Sequence, residues 1–356
     1  MEKLIKDIFD IIKDYRESEH LMSEERIETW INQFEQDDRI FILEEMKFLL
    51  AKRYFSKEHV KRGLEKIILD VSSKYGFENP SSFLSMCNFI NHQPEGKSQS
   101  EFLKLLFEIS KEKFGFDIEN NNPELPKYFV YLDDIFCTGD SLFKGLIKQD
   151  YEGEIVGGWL FEKIGEISHL DYLKKNDAKL LILNFINHDQ HYSKFTSRLY
   201  YTLGKQNIEQ YYTFWAFLWI QNKYNNPTSK LDFLFPQKKN QPENVISYFE
   251  SLNVTEEGVF RKEEMPIEET FFSNAENRNR FENIILKKSL HLYEQAGEGR
   301  SNRMRPLGYG LASHKNLGFG TFAFTYRNVP FNTPLVFWYS SNNWTPLFER
   351  FFSSYH

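Results

Sequence analysis

YFVYLDDIFCTGDSLFKG, residues 128–145, decides how the rest of the chain is read. Four apolar residues, Phe129 to Leu132, lead into two adjacent acids, Asp133 and Asp134. Two more apolar residues follow, then Cys137-Thr138-Gly139-Asp140-Ser141 and the opening of a helix. A continuous apolar run of this kind reads as a strand buried on both faces. It is expected to deliver both carboxylates to its carboxyl end, the edge at which open α/β sheets bind ligands. The backbone N–H groups of the loop and of the helix start suit an anion. Thr138 and Ser141 add hydroxyl donors, and Gly139 permits close backbone approach. A phosphate suits the loop, and a diol or metal-bound sugar suits the carboxylates beside it. The competing reading is a plain strand followed by a tight, Asp-rich turn.

The same strand–loop–helix texture extends outward on both sides. FLSMCNFIN (83–91) reads as a buried strand, HQPEGKSQS (92–100) as a polar turn and EFLKLLFEISKEKFG (101–115) as a helix capped by Ser98 or Ser100. Downstream, EIVGGWLF (154–161) and AKLLILNFI (178–186) read as strands, with SHLDYLKKN (168–176) helical between them. Strands alternating with helices imply an α/β domain built on a parallel, Rossmann-like sheet. KQNIEQYYTFWAFLWIQNKYN (205–225) reads as a buried helix and NRFENIILKKSLHLYEQA (279–296) as another. FGTFAFTY (319–326) and PLVFWY (334–339) read as strands. Residues 1–76 read as helical throughout, because Leu4, Ile8, Ile11 and Ile12, and then Phe41, Leu43, Met46, Leu49 and Leu50, recur at helical spacing. The expected organisation is an N-terminal helical region, 1–76, and an α/β domain with a C-terminal extension, 77–356.

Composition narrows the function classes. With 35 Phe and 19 Tyr among 356 residues, the chain can bury a substantial core. Its net charge of −7 lacks the basic footprint of a nucleic-acid binder, so direct nucleic-acid binding is not expected. Two cysteines, Cys87 and Cys137, exclude a disulfide framework and a cysteine-based zinc site. The opening MEKLIKDIFDIIKDYRESE alternates charge with apolar residues, unlike a secretory signal. The most apolar run, TFWAFLWI (213–220), is too short to span a bilayer. A cytoplasmic protein without membrane association is the expectation.

The 129–142 stretch resembles the signature of the phosphoribosyltransferase family. That signature is a four-residue apolar strand, an acidic pair, two apolar residues, a spacer and a Thr-Gly-Gly-Thr loop. Here the loop reads Thr138-Gly139-Asp140-Ser141, with Asp140 where the second glycine often stands. The resemblance implies that Asp133 and Asp134 contact the ribose hydroxyls of phosphoribosyl pyrophosphate. It implies further that Cys137, Thr138, Gly139, Asp140 and Ser141 surround the 5′-phosphate, and that Mg2+ enters with the ligand rather than through a protein cluster of its own. By position, Gly96, Lys97 and Ser98 in the earlier loop would hold the pyrophosphate, although an ordinary capped turn explains them equally well. An anion at Asp140 disfavours phosphate unless that side chain points away.

RMRPLGYG (303–310), YRNVPFNTPLVFW (326–338) and NWTPLFERF (343–351) together resemble the C-terminal region of phosphoribosyltransferase-like effectors from bacterial conflict systems, retron-associated ones included. That resemblance implies a toxic effector of an anti-phage operon that acts on nucleotides or transfers or hydrolyses a phosphoribosyl group. Its partners would be proteins of the operon, such as a reverse transcriptase with its DNA. The alternative is an inactive ligand sensor or a scaffold subunit. Arg303, Arg305, Asn332 and Arg350 are the candidate base and anion pocket, against a purely structural reading in which Asn332 makes a turn ahead of Pro334. Trp344 and Phe348 read as core. His188, Asp189 and His191 follow a buried strand and read as a polar loop or, less simply, a metal site.

Overall fold

The computed structural model describes residues 1–92, 95, 97–222 and 230–350. Helices α1 Glu2–Ile12, α2 Glu24–Ile31 and α3 Arg39–Arg53 open the chain, followed by strand β1 Tyr54–Phe55 and helix α4 Lys57–Lys74. Next come α5 Pro80–Leu84, β2 Cys87–Ile90, α6 Ser98–Phe114, β3 Tyr128–Phe136 and α7 Asp140–Leu146. Two small hairpins follow, β4 Lys148–Gln149 with β5 Ile155–Gly157 and β6 Lys163–Ile164 with β7 Ile167–Ser168. They lead to α8 His169–Asn176, β8 Lys179–His188, α9 Asp189–Leu203, α10 Lys205–Ile208 and β9 Tyr212–Ile220. The last elements are α11 Glu243–Leu252, α12 Ala275–Gln295, β10 Phe324–Thr325 and α13 Leu335–Trp338.

The chain divides into two compact units, one of Glu58–Trp219 and one of Met1–Lys57 with Ile220–His356. This differs from a boundary at residue 76. Local periodicity marks where a helix stops, but the partner against which it packs is a long-range property.

The 58–219 unit holds a four-stranded sheet in the order β2-β3-β8-β9. β2, β3 and β8 are parallel, with Ile90 opposite Tyr131 and Asp133 opposite Asn184. The α/β reading with a parallel sheet is therefore correct. One face carries Phe129, Tyr131, Leu180 and Ile182 against Leu142, Phe143 and Leu146 of α7, Tyr172 and Leu173 of α8, and Phe195 and Leu199 of α9. On the other face α4 comes so close at Gly63 that any side chain there would collide with the Phe185 ring. Phe102 of α6 meets the same ring edge-on at 6.1 Å. Burying β3 and β8 on both sides is what their unbroken apolar runs require.

Four of the expected elements differ. Residues 205–225 do not form a long helix: 212–220 is β9, at the edge of the main sheet, and 223–225 lie outside the described residues. A short run of aromatics satisfies either a buried helix or a strand, and here Phe217 stacks on Phe185 of β8 at 4.9 Å. EIVGGWLF does not join the main sheet. Ile155–Gly157 pairs antiparallel with Lys148–Gln149, and Ile155 and Val156 stay exposed. Within 319–326 only Phe324–Thr325 is a strand, and Leu335–Trp338 is a helical turn.

The second unit packs α1–α3 around the C-terminal segments. β1 pairs in parallel with β10. The Trp30 indole N–H donates to the Val336 carbonyl at 3.0 Å, and Gln33 exchanges two hydrogen bonds with the Thr345 backbone, both 2.8 Å. Trp344 and Phe348 are buried in this core, as their apolar character implied. Along α12, Arg278 and Glu282 are fully buried and belong to a charged network with Arg261 and Glu269. Among the described residues no helix is long and apolar enough to cross a membrane. Both cysteines are buried and neither is in a disulfide.

Candidate functional site

Asp133 and Asp134 lie inside β3, three and two residues before its end, rather than beyond it. Asp134 is buried at 2% exposure and Asp133 is half-buried. The Asp133 carboxylate accepts from the Asp134 backbone N–H at 2.9 Å and from the Tyr131 hydroxyl at 3.2 Å. Asp134 accepts from the Ile135 N–H at 2.7 Å. Burial, and then the charge of Asp134 next to it, pushes the Asp133 carboxyl well above the usual carboxylate range. A cation or a set of hydroxyl donors would offset that burial and that like charge.

The loop after β3 is shaped by Gly139, which starts α7 with φ +72°. A Cβ there would come within 2.5 Å of the Phe136 ring, itself set against Phe195 and Phe214. Left-handed backbone and close packing both exclude a side chain. Gly139→Ala is expected to cost about 2 kcal/mol or more and to displace the loop. A thermal melt checks this, together with titration of phosphorylated sugars. A variant that melts and binds like the wild type would contradict this view of the loop.

Asp140, the departure from the family loop, is paired with a cation. Its carboxylate accepts from Arg198 of α9 at 3.1 Å, and that guanidinium lies 3.6 Å from the Phe143 ring centroid. The Thr138 hydroxyl accepts from the Asp140 N–H at 3.3 Å, closing the turn. Ser141 is exposed at the loop surface and Cys137 is buried beneath it. Arg198 carries no sequence signal, because it is paired with the loop only through the packing of α9.

On the adjacent strand, β2 ends at Ile90 and the chain returns into α6. The Gln99 side chain straps this loop by accepting from the His92 N–H at 3.0 Å and donating to the Ile90 carbonyl at 3.4 Å. Lys97 is the N-cap residue of α6 and Ser98 its first residue, so neither Ser98 nor Ser100 caps the helix. Gly96 lies outside the described residues. Lys97–Ser98 and Cys137–Ser141 thus leave the same edge of two neighbouring parallel strands.

A third strand contributes two amides that the sequence reading passed over. Asn184 and Asn187 interrupt the apolar run of β8 and are buried at 1% and 0% exposure. His188 and His191 follow, also buried, with ring centroids 6.1 Å apart. Among the described residues no three His, Cys, Asp or Glu side chains converge as a metal cluster.

Arg303, Arg305, Asn332 and Arg350 belong to the other unit. There Arg305 donates to the carbonyls of Asn302, Met304 and His314, and the Asn332 amide donates to the Tyr309 carbonyl at 2.7 Å. Arg350 lies over the Phe331 ring at 3.7 Å. These contacts hold the 300–339 segment together.

A family model, PRTase-CE, matches residues 27–350. The chain belongs to the PRTase-CE family. Its phosphoribosyltransferase-like character thus extends over nearly the whole chain, both units included, and the α/β core is the PRTase-CE core. No curated protein and no solved structure matches the chain.

Proposed function

We propose that this PRTase-CE protein binds phosphoribosyl pyrophosphate at the carboxyl edge of β2 and β3 and transfers or hydrolyses its phosphoribosyl group. The observation that carries the reading is the placement of the acidic pair and the Cys137–Ser141 loop on one strand end, with Asp140 turned to Arg198. With that anion paired to Arg198, the exposed Ser141 hydroxyl and the Thr138 O–H would meet a 5′-phosphate. Asp133 and Asp134 would meet the ribose hydroxyls and stabilise the oxocarbenium-like charge that grows as the anomeric C–O bond breaks. Lys97 and Ser98, on the neighbouring loop, would take the departing pyrophosphate.

The adjacent carboxylates of Asp133 and Asp134 would hold Mg2+, whose charge would counter the burial and the Asp134 charge that push the Asp133 carboxyl up. When bound, Mg2+ would offset the charge of the pyrophosphate oxygens. The biological role proposed is a toxic effector of an anti-phage system, with proteins of that system as partners.

The depth of the acids within β3 favours one alternative, a sensor that binds the ligand without turning it over. Calorimetric titration of phosphoribosyl pyrophosphate with Mg2+, with pyrophosphate release followed in parallel, tests the reading. Saturable binding with release is expected. Binding without release would establish the sensor, and the absence of binding would remove the ligand assignment.

A further inference from the structure

We propose that Asn184 is a ligand-binding residue, and that with Asp133 it forms a hydroxyl-recognition pair for the sugar of the ligand. The inference rests on the phosphoribosyl reading above and deepens it.

Asn184 and Asp133 are register partners on neighbouring parallel strands, so their side chains stand on the same face, about 4.8 Å apart along the hydrogen-bonding direction. Asn184 is 1% exposed, yet neither its amide nitrogen nor its amide oxygen has a hydrogen-bond partner. Leaving such a group unsatisfied costs about 1–3 kcal/mol, so an orphaned amide in a buried strand calls for an explanation. An apolar residue in the same place would have continued the run Leu180 to Leu183 without that cost.

The chemistry of the two side chains is complementary. A carboxylate only accepts, whereas an amide both donates and accepts, and each sugar hydroxyl needs one acceptor and can take donors. A vicinal diol seated on Asp133 would donate to the carboxylate and accept from the Asn184 amide once these two side chains turn toward it. Asn187, equally orphaned, registers with Phe136 and so stands on the opposite face by strand alternation. It is not part of this pair.

The test compares ribose 5-phosphate, 2-deoxyribose 5-phosphate and inorganic phosphate as titrants for the wild type, Asn184→Leu and Asn184→Ala. The wild type is expected to prefer ribose 5-phosphate over the deoxy sugar by about tenfold or more, as loss of one hydrogen-bonded hydroxyl implies. Asn184→Leu should reduce that preference to about threefold or less, keep the affinity for inorganic phosphate, and melt no lower than the wild type. Asn184→Ala serves the same purpose if the leucine variant does not fold. Unchanged sugar preference in the variants would overturn the inference, as would equal loss of sugar and phosphate binding or a marked fall in melting temperature in both. If the wild type binds neither sugar phosphate nor phosphoribosyl pyrophosphate, the phosphoribosyl reading itself falls, and this pair with it.

Discussion

Asp133→Asn should melt at a higher temperature than the wild type at pH 8 and yet lose phosphoribosyl pyrophosphate. The two effects have one cause. In the folded protein the carboxyl is pushed up by burial and by Asp134. Its ordinary value, near pH 3.9, applies in the unfolded chain. Below that value the group is protonated in both states, and the fold bears no charge there. As pH rises, the unfolded chain releases the proton while the folded chain retains it, and stability falls until pH passes the raised folded value. An asparagine has no proton to lose, so its advantage is absent below about pH 4 and grows as pH rises above it.

Binding runs the other way. A ligand carrying Mg2+ and sugar hydroxyls favours the ionised carboxylate. Its affinity should rise with pH through the range in which Asp133 titrates, and binding should release protons. Asparagine cannot supply that charge, and together with Asp134→Asn the loss of affinity should reach about 100-fold or more. Melting curves at pH 4 and 8, and calorimetry in two buffers of different ionisation enthalpy, measure both arms. A variant less stable at pH 8 would contradict the electrostatic account. A variant that binds as the wild type does would remove Asp133 from the site.

The largest loss of stability is expected in the other unit. Glu282 of α12 is fully buried and accepts from Arg261 at 2.7 Å, from Arg278 at 3.0 Å and from the Phe235 N–H at 2.9 Å. Arg278 also pairs with Glu269 and donates to the Leu231 and Phe233 carbonyls, and Arg261 donates to those of Phe235 and Met265. The network thus ties 231–235, 261–265 and 269 to one helix. Glu282→Ala would leave two guanidiniums buried without their shared carboxylate. Removing one partner of a buried pair in this way costs about 3–5 kcal/mol. That corresponds to a fall of roughly 10 °C or more in the unfolding of this unit. A fall of less than about 3 °C would show that the network contributes little.

The sequence by itself determined the centre of the molecule. Residues 128–136 could be little else than a buried strand, because nine residues with so few polar positions must be covered on both faces. The acids and the glycine turn then mark its carboxyl end. The same local logic located β2, α6, α8, β8 and α12. Long-range pairing decided what those rules left open. The aromatic run at 212–220 satisfies a helix as well as a strand, and the place beside β8 settled it. Residues 1–57 show where helices begin and end, but not that they pack with 220–350. Arg198 matters to the loop through the position of α9, and Asn184 matters through its register with Asp133. A buried amide in an apolar run was visible from the start, but whether it had a partner could be read only from the folded chain, because a hydrogen bond is satisfied in space and not in sequence.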